Sequence, residues 1–71
     1  MTGNTIHVVV NGESRELPGN LTLLQLLDHF GLDPRTVVVE LNREIVRRPV
    51  LAGTTVSHGD TVELVHFVGG G

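Results

Sequence analysis

The sequence predicts a small α+β domain, in which a mixed sheet is covered on one face by a single main helix. Three observations predict it. Three runs rich in β-branched residues, Thr5 to Val10, Thr36 to Leu41 and Thr61 to Phe67, read as strands. One stretch, Leu23 to Phe30, carries apolar residues at helical spacing. Asn11-Gly12 follows the first run directly, and both residues tolerate the positive φ of a tight hairpin turn. A helix of about two turns can cover only one face of a small sheet.

The elements follow in order. Met1 to Asn4 is small and polar and reads as a frayed lead-in. Thr5 to Val10 is the first strand, and Glu13 to Leu17 returns from the Asn11-Gly12 turn until Pro18-Gly19 stops it. Thr22 is positioned to cap the helix, because its hydroxyl can accept an orphan backbone N–H of the next turn. Leu23, Leu26, Leu27 and Phe30 then fall at i, i+3, i+4 and i+7 and form one stripe. Gly31 ends the helix in a left-handed conformation, with Pro34 beyond.

Thr36 to Leu41 is the third strand. Asn42 to Val46 turns and begins a short fourth, broken by Pro49. Ala52-Gly53 and His58-Gly59-Asp60 mark turns, and Thr61 to Phe67 is the last strand. Alternation sends Ile6, Val8, Val10, Leu17, Val37, Val39, Leu41, Val62 and Leu64 toward the leucine stripe. It leaves Val9, Val38, Val65 and Phe67 on the uncovered side, an apolar strip that suggests a docking surface. Residues 1–67 thus read as one domain and residues 68–71 as a flexible tail.

Composition narrows the function. At 71 residues, a single domain buries roughly 60% of the surface its unfolded chain exposes, which leaves little room for a walled active site. A carrier, adaptor or binding module is therefore expected before an enzyme. There are no cysteines, which excludes disulfides, thiolate metal sites and a persulfide on this chain's own thiol. The net charge of −3 argues against a binder of nucleic acid. All five positive charges are arginine, at positions 15, 35, 43, 47 and 48. No signal peptide or apolar run long enough to span a bilayer is visible, so a soluble cytoplasmic protein and no membrane partner are expected.

Four histidines, at 7, 29, 58 and 66, have neither the i, i+4 pairing nor the cysteines of a metal site, and no metal is expected. No Ser/His/Asp arrangement or phosphate loop is visible, so no catalytic residue is assigned. Arg43, Arg47 and Arg48 with Glu44 are a candidate ion-pairing patch. Asp60 reads as a turn residue that shapes entry into the last strand.

The sequence ends Val68-Gly69-Gly70-Gly71. A terminal carboxylate is an anion at neutral pH and a poor acyl donor, so it reacts only after conversion to an acyl-adenylate or thioester. Glycines without Cβ atoms pass a narrow channel and adopt backbone angles closed to other residues. Four residues reach at most roughly 14 Å, enough to cross the rim of a pocket.

These residues carry a resemblance over the whole chain. The pieces are Val10-Asn11-Gly12, Leu23-Leu24-Gln25-Leu26-Leu27, the run Val39 to Val46, the Gly59-Asp60 turn, and the ending from Val62 to Gly71. Together they resemble the sulfur carrier proteins of thiamine biosynthesis (the ThiS family), small domains of the ubiquitin-like β-grasp fold. The segment from Arg47 to Ser57 matches least.

The resemblance implies that Gly71 is the modified residue and that Gly69 and Gly70 form the tail. Val65, Phe67 and Val68 would meet the partner. A ubiquitin-activating-like (E1-like) adenylyltransferase would use ATP and magnesium to adenylate the Gly71 carboxylate, and sulfur from a cysteine desulfurase would convert it to a thiocarboxylate. Thiazole synthase would receive the sulfur. The carrier itself would bind no cofactor and would be no enzyme. Three other functions share these features: a carrier for molybdopterin synthase or tRNA thiolation, a ubiquitin-like modifier joined to target lysines, and a binding domain with an inert tail.

Overall fold

A computed structural model describes residues 5–67. Its elements run β1 (Thr5–Val10), β2 (Glu13–Pro18), α1 (Leu23–His29), β3 (Val37–Leu41), β4 (Glu44–Val46), a 3-10 helix (Arg48–Gly53) and β5 (Thr61–His66). The strands form one sheet in the order β2-β1-β5-β3-β4. β1 and β5 are parallel, and every other neighbouring pair is antiparallel. This is the expected α+β architecture, a mixed sheet with one α-helix on one face.

Local chemistry explains the turns. Asn11 and Gly12 take φ of 51° and 83°, and Asn42 and Arg43 take 51° and 73°, the double positive φ of the two-residue turns that suit the twist of a hairpin. The Thr22 hydroxyl accepts from the Gln25 N–H at 3.1 Å, while the Gln25 side chain accepts from the Thr22 N–H at 2.9 Å, closing a capping box. At the other end Gly31, at φ 72°, donates to the Asp28 carbonyl, and Leu32 donates to that of Leu27. These two bonds satisfy carbonyls that the helix would otherwise leave orphaned.

The helix stripe Leu23, Leu26 and Leu27 is fully buried against Val8, Val10, Leu17, Val37, Val39, Val62 and Leu64. Ile6 and Leu41, expected inside, are half-buried at the margin, as is Phe30. Arg15 lies over the Phe30 ring, 5.6 Å from its centroid.

Two core residues come from a segment that the sequence read only as turns. Leu51 is buried inside the 3-10 helix, and Val56 is buried beyond it. The backbone explains both placements: Leu23 donates to the Thr54 carbonyl and Val56 donates to that of Leu21, each at 2.8 Å. Residues 54 to 56 are thus laced to the start of α1 and close the core under the helix. Among the described residues no helix is long and apolar enough to cross a membrane.

Candidate functional site

β5 is the axis of the site, because it is the central strand and leads directly to Val68. Its start is tied on both sides. Asn42 donates its backbone N–H to the Thr61 carbonyl at 2.8 Å and accepts the Thr61 N–H on its side-chain oxygen at 2.9 Å. Asp60 holds the preceding turn, accepting from the Ser57 N–H at 2.8 Å and from the Asn42 side chain at 3.1 Å. Its role as a turn residue is thus joined to the β3–β4 turn.

The parallel pairing with β1 covers only Val9↔Thr61 and Val10↔Val62. Past it, the Asn11 side chain takes over: its Oδ1 accepts from the Leu64 N–H at 2.7 Å, and its Nδ2 donates to the Leu64 carbonyl at 3.2 Å. A side-chain amide has the same donor and acceptor as a peptide group, so Asn11 continues the β1 ladder while its own backbone turns away. Sequence reading identified Asn11 only as a turn residue.

Beyond Leu64 the strand is held by β3 alone, through Val38↔Val65 and Val37↔His66 and a Phe67 N–H donated to the Thr36 carbonyl at 3.2 Å. Here Val65 is 53% exposed and Phe67 49%. Val9 and Val38 are exposed on the same open face, as alternation requires. Ile45 joins them from β4, opposite Glu40, a placement that depends on register and so left no signal in the sequence. The other candidate site residues, Val68, Gly69, Gly70 and Gly71, lie outside the described residues.

The open face has one electrostatic peculiarity. Glu40 and Glu63 sit directly opposite each other on β3 and β5. Neither forms an ion pair among the described residues. Like charges in register repel, so this pair works against the sheet unless a cation approaches from outside.

The histidines are scattered. His58 accepts the His7 backbone N–H on its Nδ1 at 3.0 Å, and the two rings meet edge to face at 5.6 Å. His29 packs on Phe30, and His66 is exposed. No group of three or more metal-ligating side chains gathers among the described residues.

The arginine patch is rearranged. Arg43 stays in the β3–β4 turn, whereas Arg47 and Arg48 join Arg35 along a groove that ends at Phe67. Arg35 is engaged by Asp33 through two bonds of 3.1 and 2.9 Å. The Arg35 guanidinium and backbone N–H hold the Asp33 carboxyl down at about 2.

Comparison with known proteins shows the family. The family model described as the ThiS family matches residues 8–71. The chain belongs to the ThiS family. Its fold is similar to that of the thiamine biosynthesis protein (ThiS) of Geobacter metallireducens, with a TM-score of 0.80 and 36% identity over 93% of this chain and all of that one. Among ThiS relatives, it is 38% identical over 50 residues to the sulfur carrier protein ThiS of Bacillus subtilis, covering 70% of this chain and 76% of that protein. It is also 44% identical over 64 residues to a thiazole synthase of Paramagnetospirillum magneticum, covering 90% of this chain and 20% of that protein. A second thiazole synthase, from Magnetococcus marinus, is 37% identical over 62 residues. This chain spans about a fifth of the length of the two thiazole synthases.

Proposed function

We propose that this chain is a sulfur carrier of thiamine biosynthesis, working through the carboxylate of Gly71. The observation that carries the reading is membership of the ThiS family across residues 8–71, a match that includes the glycine ending. The likeness to a protein named as a sulfur carrier supports it.

The chemistry follows from the carboxylate. Its oxygen attacks the α-phosphorus of ATP in an E1-like adenylyltransferase, with magnesium on the phosphates, and pyrophosphate leaves. The terminal sulfur of a desulfurase persulfide then attacks the acyl carbon and AMP leaves. A thiol cleaves the resulting acyl disulfide and frees the thiocarboxylate. The domain contributes no catalytic group and acts as the handle by which each partner holds the tail.

The open face, with Val65 and Phe67 just ahead of residue 68 in the chain, is the surface we assign to the activating enzyme. Its Glu40–Glu63 pair calls for an arginine or lysine in the partner's apolar surface. Thiazole synthase is the favoured acceptor, because two proteins of that name each contain a segment similar to this chain.

The test is the intact mass of the chain after incubation with the activating enzyme of its own organism, ATP, cysteine and a desulfurase. Sulfur should replace one oxygen at Gly71, and only with ATP present. An unchanged mass, with the same enzyme active on another carrier, would sink the reading. Isopeptide-linked adducts that vanish on deletion of Gly71 would favour a modifier.

A further inference from the structure

Where the β3–β4 ladder ends lies a groove whose Arg47 and Arg48 side the carrier reading leaves unused. The β3–β4 ladder stops at Val39↔Val46, after which the chain leaves the sheet and enters the 3-10 helix at Arg48. The Asn42-Arg43 turn closes on Leu41↔Glu44, so Leu41, Val39 and Val37 turn their backbone groups toward β4. At Val37 no strand remains to meet them. The open groove there has a volume of about 590 Å³. Val38, Ile45 and Phe67 give it apolar walls, and Arg35, Arg47 and Arg48 line it.

Three of the five positive charges of a chain with net charge −3 therefore face one groove. Arg47 and Arg48 are exposed and form no ion pair among the described residues.

We infer that this groove binds an extended, acidic segment of a partner protein, which adds to the sheet beside Val37 in line with β4 and pairs its carboxylates with Arg47 and Arg48. An extended segment supplies the backbone groups that the sheet edge lacks, and its alternate side chains point the same way. Apolar residues between the carboxylates fit the walls. A nucleic acid would also bring anions, but it has no peptide groups for the edge, and the rest of this acidic chain repels it. The inference does not rest on sulfur transfer; the groove shares Val38, Ile45 and Phe67 with the open face and runs from them past the end of the β3–β4 ladder to Arg47 and Arg48.

The test is a titration of the intact, 15N-labelled chain with the peptide acetyl-Glu-Val-Glu-Val-Glu-amide, followed by amide NMR. The amides of Val37, Val46, Arg47 and Arg48 should shift together, with a Kd on the order of 1 mM. The corresponding lysine peptide should leave them in place. Arg47→Glu with Arg48→Glu should weaken binding at least about fivefold, because each exposed pair is lost and replaced by repulsion. Arg15→Glu, far from the groove, should leave it unchanged and so excludes a bulk charge effect. The proposal is overturned if these amides stay fixed at several times that concentration, if the shifts fall on Val9, Glu63 and Val65 instead, or if a single-stranded oligodeoxynucleotide binds the groove more tightly than the peptide.

Discussion

The two halves of β5 are built to opposite rules. From Thr61 to Leu64 the strand is bonded on both edges, with Val62 wholly buried and Leu64 nearly so. From Val65 to Phe67 it is bonded on one edge, and its outward side chains are half exposed. One stretch of chain thus serves as anchor and then as handle, within the seven residues from Thr61 to Phe67. The side chains differ by face, since α1 and the segment around Leu51 and Val56 cover the one that Val62 and Leu64 share and leave open the one that Val65 and Phe67 share. The exposed end can therefore be shaped for a partner without spending the core.

The largest effect that would test this division is a charge placed in each half. Val62→Asp buries a carboxylate with no partner, costing several kcal/mol against a total stability of roughly 4–11 kcal/mol for a domain of this size. The chain should lose its cooperative melting transition or melt far earlier. Phe67→Asp should change stability by less than about 0.5 kcal/mol yet weaken binding to the activating enzyme. Equal losses of stability in both variants would break the comparison.

A smaller effect sharpens it. Asn11→Gly keeps the positive φ of the turn but removes both side-chain bonds to Leu64. Stability should fall by about 1–3 kcal/mol, read as a lower denaturant midpoint at unchanged slope. The Leu64 amide should also exchange faster; if its protection is unaltered, Asn11 is not the tie that ends the anchored half.

The smallest effect concerns the open face. Glu63→Gln relieves the repulsion from Glu40 and should raise stability by roughly 0.2–1 kcal/mol. The same change should weaken the activating enzyme's hold. A variant that is less stable would show that a cation within the domain already satisfies the pair.

Much of this arrangement was legible in the sequence because it rests on local rules. Asn11-Gly12 forms its hairpin, Thr22 caps the helix and Gly31 ends it because each depends on neighbours a few residues away. Alternation likewise sorted Val62 and Leu64 from Val65, since a strand has only two faces. Leu51 and Val56 were illegible for the same reason: two apolar residues five apart, one in a short 3-10 helix and one just after the Thr55 bridge, repeat at neither strand nor helix period.

The reach of Asn11 to Leu64, 53 positions away, is a tertiary fact with no local trace. So is the grouping of Arg35 with Arg47 and Arg48, which the sequence had instead grouped with Arg43. The glycines that carry the proposed chemistry were legible as a pattern, and they lie outside the described residues.

The position of β5 in the sheet has a consequence in time. It is the last described strand to be synthesised, yet it fills the middle lane between β1 and β3. Until it exists, the two hairpins flank an empty space, and a two-stranded hairpin is marginal in water. On the ribosome, the β1 ladder cannot close before Val62 has left the exit tunnel, nor the β3 ladder before His66 has. Folding of the domain and emergence of the strand that leads to the tail are therefore one event, and a chain cut short of it offers a partner neither the handle nor the end.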